Sequence, residues 1–278
     1  MRAAPKAAAR TQEPAARVIW DSYAIHTRIL WRFALPLALA LASAGPVAAQ
    51  DTDLELVLLA DASGSIDAGE IAFQRSGYAE AITDPEVLET IMQTAYGSIA
   101  VTYVEWAANQ AVVVPWRVID GPDSAAAFAA ELTSAGRAAF GRNAIGDALL
   151  FGKSLIENNA LDGWRKVIDF SGDSANSYGG APVSTARDAV VGAGITINGL
   201  PILCRDCRSG QAGYGDLEAQ YRDRIIGGVG AFVVTADSRD SFADAVKRKL
   251  ILEISGQMPV RDVADAPVAA PRAVHFAP

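Results

Sequence analysis

An apolar run in the first quarter of the chain leads directly into oxygen-bearing side chains: Leu54-Glu55-Leu56-Val57-Leu58-Leu59-Ala60-Asp61-Ala62-Ser63-Gly64-Ser65. The nearly continuous apolar part is typical of a central parallel strand that is buried on both faces. A helix is predicted to follow from Asp67, because Asp67 and Glu70 have the spacing of a capping box. This order of buried strand, polar turn and capped helix predicts the first unit of an α/β fold.

The rest of the chain continues the alternation of predicted strands and helices. Two β-rich segments, 98–106 and 111–119, are separated by a few residues and predict a hairpin, so one strand runs antiparallel at a sheet edge. The later segments are predicted helices at 123–135, 143–157, 182–192, 215–226 and 240–254, and predicted strands at 166–171, 195–203 and 231–236. The pattern predicts a doubly wound α/β domain, with a mostly parallel sheet covered by helices on both faces.

Residues 1–49 differ in composition from the rest of the chain. They contain six basic and two acidic residues, and an apolar stretch at 33–44 precedes a Gly-Pro break and Val47-Ala48-Ala49. This order is typical of an export signal, so we expect a signal peptide over 1–49, cleavage after Ala49, and a periplasmic or secreted protein. An uncleaved membrane anchor is the alternative, and the short apolar stretch with its prolines argues against it.

Charge and composition limit the possible partners. The 278 residues include 24 basic and 32 acidic residues, a formal net charge of −8, and loss of residues 1–49 would bring it to −12. An acidic surface without a basic stripe repels nucleic acid, so no nucleic-acid partner is expected. No later apolar run is long enough for a membrane span in the mature chain. We expect one folded domain over 50–256 and a disordered Pro/Ala-rich tail over 257–278.

Three segments place oxygen-bearing side chains at expected carboxyl ends of strands, where ligands bind in open α/β sheets. The candidate metal ligands are Asp61, Ser63 and Ser65 after the first strand, Asn143 before a helix, and Asp173 after the 166–171 strand. Gly64 lets both serines of the first turn face a small cation. Few carboxylates and no soft ligands favour Mg²⁺, or Mn²⁺, over Zn²⁺ and Ca²⁺. Two alternatives remain: a plain hydrogen-bonded turn, and a helix N-cap role for Asn143.

The turn after the first strand, Asp61-Ala62-Ser63-Gly64-Ser65, resembles the metal-ion-dependent adhesion site of von Willebrand factor A domains. Gly141-Arg142-Asn143-Ala144-Ile145-Gly146 and Ser171-Gly172-Asp173 fall where that family has its second and third site loops. The resemblance covers 54–255. It is closest to a group of exported bacterial A-like domains without assigned function, also marked by stretches like Asn198-Gly199-Leu200-Pro201-Ile202 and Gly230-Ala231-Phe232-Val233-Val234. It implies a six-stranded Rossmann-like sheet and Mg²⁺-dependent binding of a protein partner's acidic side chain.

Carried over residue by residue, the resemblance makes Asp61, Ser63 and Ser65 the ligands of the first loop. Asp173 corresponds to the third-loop aspartate, which often acts through water. Asn143 stands where the family usually has threonine; its amide oxygen can ligate a metal, with a geometry that differs from that of the threonine hydroxyl. Arg142, beside the site, is a candidate for steering an acidic partner.

Two enzymatic alternatives rest on short motifs. Ser174 in Gly172-Asp173-Ser174 is placed like the nucleophile of some lipolytic hydrolases, but the only histidines, His26 and His275, lie in the predicted signal and tail. A conventional general base is therefore missing. Cys204 and Cys207 form a C-x-x-C motif that follows a strand and precedes a glycine-rich loop, which favours a local disulfide over thiol-redox catalysis. We therefore expect a binding module and no enzyme; an envelope hydrolase or thiol-redox enzyme and a metal-free structural domain are the alternatives.

Overall fold

Five strands form one sheet in the computed structural model, which describes residues 49–203, 216–238 and 241–257. They are β1 (Gln50–Asp61), β2 (Ile99–Trp106), β3 (Gln110–Ile119), β4 (Leu161–Gly172) and β5 (Thr196–Pro201). Their order in the sheet is β3-β2-β1-β4-β5. The predicted signal segment up to residue 48, the predicted disulfide between Cys204 and Cys207, and the tail beyond residue 257 lie outside the described residues.

β1 lies at the centre of this sheet. It pairs in parallel with β2, where Leu54 is opposite Ile99, and with β4, where Ala60 is opposite Ser171. β2 and β3 form the predicted antiparallel hairpin, with β3 at the edge. Because the chain crosses β1 between β3 and β4, the strand order reverses beside β1. The carboxyl ends of β1 and β4 therefore lie next to each other at the position where open α/β sheets bind ligands.

Helices cover both faces of the sheet. In the described part of the chain they are α1 (Ala68–Thr83), α2 (Pro85–Met92), α3 (Pro122–Ser134), α4 (Ile145–Glu157), α5 (Val183–Gly192), α6 (Leu217–Arg224) and α7 (Phe242–Ser255). The first three helices and α7 pack with Leu56 and Leu58 of β1, and the other three pack with Val57 and Leu59. The predicted doubly wound, mostly parallel α/β fold with an antiparallel edge strand is confirmed. None of the described helices is both long and apolar enough to cross a membrane.

The segment predicted as a sixth strand, 231–236, pairs with β5 through single bridges and forms no continuous strand. Gly199 is bridged in parallel to Val233, and Ile202 to Ala236. Between these bridges the Ala236 N–H donates to the Pro201 carbonyl at 3.0 Å. Pro201 has no N–H to donate in return, so the ladder is interrupted at this residue. The described sheet therefore has five strands and a bridged segment in the sixth position.

A cluster of charged side chains is buried between β4, β5 and α7. The Lys249 ammonium lies 2.7 Å from Asp169 Oδ1 and 2.5 Å from Glu253 Oε1. Asn198 donates to the same Glu253 oxygen at 2.9 Å. Burial raises the pKa of Glu253 to about 7 and raises the pKa of Asp169, in opposition to the positive charge of Lys249. The last helix is thus attached to the sheet by one buried cation between two carboxylates.

Candidate metal site

The turn after β1 brings one carboxylate and two hydroxyls together. Asp61 is the last residue of β1, and its Oδ1 accepts the Ser63 N–H at 2.8 Å. The hydroxyl oxygens of Ser63 and Ser65 are 3.1 Å apart. Gln74 on α1 donates to the Asp61 carbonyl at 3.1 Å, so the turn is tied to the helix that follows it. Asp61 Oδ2 is buried and has no hydrogen-bond partner in the described part of the chain.

The helix after this turn begins as predicted. The Glu70 N–H donates to Asp67 Oδ1 at 2.9 Å, and the Asp67 N–H donates to Glu70 Oε2 at 2.7 Å. This reciprocal pair is the capping box that the sequence spacing indicates. Because it fixes the first turn of α1, it also fixes the exit of the loop that carries Ser63 and Ser65.

Gly172, the last residue of β4, lets the first and third loops approach each other closely. A Cβ atom at this position would lie 2.9 Å from Asp61 Oδ2 and 3.0 Å from the Trp106 ring. The Tyr221 hydroxyl donates to the Gly172 carbonyl at 2.8 Å. Asp173 follows directly, and its Oδ1 is also buried without a hydrogen-bond partner among the described residues. A side chain at residue 172 would therefore separate the two carboxylates.

Burial raises the proton affinity of both carboxyl groups of the site. Burial raises the pKa of Asp61 to about 8, and the negative charge of Asp173 adds to this shift. Burial also raises the pKa of Asp173, and the negative charge of Glu70 adds to this shift, while the nearby polar groups of Ser65 and Asp61 oppose it. No ion pair joins Asp61 or Asp173 to a lysine or arginine within the described ranges. The site concentrates negative charge that no ion pair balances within the described residues.

The second loop lies against the other two through backbone hydrogen bonds. The Gly64 N–H donates to the Gly141 carbonyl at 2.8 Å, and the Tyr178 N–H donates to the Asn143 carbonyl at 2.8 Å. α4 begins at Ile145 with residue 144 as its N-cap, so the N-cap alternative for Asn143 is wrong. Asn143 is only 7% exposed, and its side-chain amide makes no hydrogen bond to any described residue. The amide oxygen is therefore available for another role.

The oxygen donors fit a small, hard cation. No group of three or more His, Cys, Asp and Glu side chains converges anywhere in the described residues, so a metal here would depend on hydroxyl and amide oxygens as well as two carboxylates. Mg²⁺ accepts such a set because it retains several waters, whereas a closed zinc site needs His or Cys. The buried Asp61 Oδ2 and Asp173 Oδ1, to which no described residue donates a hydrogen bond, are suitable donors.

Arg137 contacts the site although no sequence pattern indicated it. Its guanidinium donates to the Ala62 carbonyl, to the Ser63 carbonyl at 3.0 Å and to the Ile66 carbonyl at 3.1 Å. These bonds hold the backbone of the first loop in its turn. Arg137 is separated from Ser63 by 74 residues, so only the folded chain reveals the contact.

Ser174, the candidate nucleophile of the hydrolase alternative, takes part in a local hydrogen bond. Ser174 Oγ accepts the Asn176 N–H at 3.1 Å. The described residues contain no histidine, since His26 and His275 both lie outside them. The described residues around Ser174 therefore provide no histidine as a general base.

Three solved structures show which class of fold this is. A von Willebrand factor type A protein from Catenulispora acidiphila is 16% identical with a TM-score of 0.52, covering 73% of this chain and 43% of its own. The SpaC pilus adhesin from Lactobacillus rhamnosus GG is 13% identical with a TM-score of 0.53, covering 75% and 32%. Proximal thread matrix protein 1 from the mussel byssus is 16% identical with a TM-score of 0.50, covering 74% and 47%. The chain spans less than half of each, and at these identities the likeness establishes the von Willebrand factor A fold alone.

A match over most of the sequence identifies the family of the chain. A family model described as "Protein of unknown function (DUF1194)" matches residues 51–258, and the chain belongs to this family. No curated protein matches the sequence. The predicted resemblance to a von Willebrand factor A-like family without assigned function is confirmed.

Proposed function

We propose that the chain is an exported module that binds a protein partner through a divalent cation. The residues that would hold the cation are Asp61, Ser63, Ser65, Asn143 and Asp173. The observation that carries the proposal is the pair of buried carboxylate oxygens, Asp61 Oδ2 and Asp173 Oδ1, which lack partners among the described residues. A buried polar atom without a partner costs folding free energy, so its retention points to a ligand.

Each residue has a distinct role in this proposal. Asp61 and Asp173 supply the negative charge, and the adjacent hydroxyls of Ser63 and Ser65 supply neutral oxygens from one side. Asn143 supplies an amide oxygen from the second loop. Bound Mg²⁺, or Mn²⁺ in its place, would supply the positive charge that attracts a carboxylate of the partner. With only two carboxylates, the site leaves room for that third one.

The proposed location is the periplasm or the extracellular space, after cleavage behind Ala49. The basic, then apolar, then small-residue order of 1–49 supports export. Two of the similar structures are named a pilus adhesin and a thread matrix protein, which is consistent with an adhesive role. A disulfide between Cys204 and Cys207 remains a prediction for such an oxidising location.

Calorimetric titration of the full chain with MgCl₂ and MnCl₂ tests the proposal. We expect saturable binding of both ions, and a loss of at least about tenfold in affinity for Asp61→Asn, because one charged ligand is removed. Asp162→Asn is the matched control, since it removes an exposed carboxylate near the start of β4. Equal affinity of Asp61→Asn and Asp162→Asn would contradict the proposal. Absence of binding by the unsubstituted chain would favour the metal-free structural domain.

Capture experiments address the partner directly. Immobilised full chain is incubated with envelope proteins in Mg²⁺, and bound proteins are then eluted with EDTA. The proposal expects an eluted protein that Asp61→Asn does not retain and Asp162→Asn does. Capture that is the same for all three chains would contradict metal-dependent recognition.

A further inference from the structure

The rim of the proposed metal site carries an exposed arginine stacked on an exposed tyrosine. The guanidinium carbon of Arg142 lies 4.4 Å from the centre of the Tyr178 ring, which is within the range of cation–π attraction. Tyr178 is 54% exposed, and Arg142 is exposed as well. Stacking restricts the rotamers of the arginine, so its N–H donors can bind a ligand with a smaller loss of entropy.

Backbone hydrogen bonds attach both residues of this stack to the site. The Gly141 carbonyl, just before Arg142, accepts the Gly64 N–H from the first loop at 2.8 Å. The Asn143 carbonyl, just after it, accepts the Tyr178 N–H at 2.8 Å. The backbone on which the stack is built is therefore hydrogen-bonded to the loops that carry the predicted ligands.

Arg142 has no acidic partner in the described part of the chain. Its guanidinium forms no ion pair or hydrogen bond there. The acidic side chains of neighbouring segments bind elsewhere: Asp147 accepts the Ala181 N–H at 2.8 Å, and Asp67 and Glu70 form the capping box of α1. Arg142 is thus a positive charge at the rim of the site that no described acidic side chain neutralises.

We infer that the partner segment carries two carboxylates, one for the metal site and one for Arg142. This inference rests on the proposed function. A planar guanidinium binds a carboxylate through two parallel hydrogen bonds. Stacking of the arginine on a ring holds the guanidinium in an orientation suited to this geometry. Because the chain carries a formal net charge of −8, an acidic segment is repelled by most of its surface. At the proposed site the cation and Arg142 attract such a segment, and the second contact sets the register of the bound segment.

Two families of synthetic peptides test the inference on the full chain loaded with Mn²⁺. One family has two glutamates separated by one, two or three glycines, and in the other the second glutamate is replaced by glutamine. Dye-labelled peptides titrated in fluorescence polarisation give the affinity ratio of each pair. At the best spacing we expect a ratio of about tenfold, from a statistical factor of two and about fivefold for a well-placed exposed ion pair.

Arg142→Ala should reduce this ratio to about the statistical twofold, and Arg142→Lys should keep part of it because the charge remains and the planar fork is lost. Arg117→Ala is the matched control, since Arg117 is an exposed arginine on β3 that pairs with Glu131 at 2.9 Å. It should keep the full ratio. A twofold ratio at every spacing, or a tenfold ratio that survives Arg142→Ala, overturns the inference alone. Failure of the unsubstituted chain to bind Mn²⁺ overturns the proposed function, and the inference with it.

Discussion

The Asp169–Glu253 pair and the Asp61–Asp173 pair are both carboxylate pairs withdrawn from solvent, and they differ in the cation beside them. The first pair lies under α7 and has the Lys249 ammonium within 2.7 Å of each member. The second pair lies at the end of β1 and β4, beside two serine hydroxyls, and forms no ion pair with a lysine or arginine in the described part of the chain. The first arrangement serves folding, because the charge is balanced within the chain. The second is balanced only by something added from outside.

Substitution of Lys249 should have the largest effect on the stability of the fold. Lys249→Met would leave Asp169 and Glu253 buried without a counter-charge, and we expect the free energy of unfolding to fall by about 3–5 kcal/mol. Urea denaturation measures the change. Lys153→Met is the control, because Lys153 forms an i,i+4 pair with Glu157 on the surface and should cost at most about 0.5 kcal/mol. Equal costs for the two variants would show that Lys249 does not neutralise the buried pair.

The contribution of the same cluster to the free energy of unfolding should depend on pH. Burial raises the pKa of Glu253 from 4.5 to about 7, so the folded state binds more protons than the unfolded state between these values. The contribution of Glu253 to stability is therefore fully present below pH 4.5 and is lost as the pH rises to about 7. The loss approaches about 3 kcal/mol at 1.36 kcal/mol per pKa unit. The stability difference between the unsubstituted chain and Glu253→Gln, measured from pH 4.5 to 8, should follow this curve. A difference that is independent of pH would contradict it.

The smallest expected effect has the opposite sign and concerns the candidate site. Asp61→Asn removes one of two buried carboxyl groups that repel each other, so in EDTA we expect the free energy of unfolding to rise by about 1–2 kcal/mol. Addition of 10 mM Mg²⁺ should stabilise the unsubstituted chain by about 1.4 kcal/mol if its Kd is about 1 mM, and the variant by much less. Thermal denaturation with and without Mg²⁺ measures both effects. Destabilisation of Asp61→Asn in EDTA would mean that Asp61 serves the fold.

Short-range patterns were sufficient to predict much of the fold. The apolar run of β1, the hairpin of β2 and β3, and the capping box at Asp67 depend on residues no more than 20 positions apart, and all three were predicted. The sixth strand was predicted wrongly as continuous, because Pro201 lies in the neighbouring strand. Its missing N–H affects the pairing of residues more than thirty positions away.

Local chemistry also explains why the sequence indicated which residues are candidates for the metal site. Asp61, Ser63 and Ser65 lie on one turn between a strand and a helix, and their spacing alone determines that they face each other. The sequence did not indicate which charged side chains lie near these three residues. Three contacts at the site join residues from different loops. Asp173 lies close to Asp61, Arg137 donates hydrogen bonds to the backbone of the first loop, and Arg142 stacks on Tyr178.

The sequence by itself determined the strand, the turn and the helix that present the first three candidate ligands, because hydrogen bonding and periodicity act over a few residues. Only the tertiary structure decided which carboxylates have a cation of their own. Lys249 reaches Asp169 across 80 positions because α7 packs on the sheet, whereas the crossover to β4 brings Asp173 to Asp61 without an ion pair to any described lysine or arginine. Long-range packing thus separated a balanced structural cluster from a candidate binding site built from the same residue type.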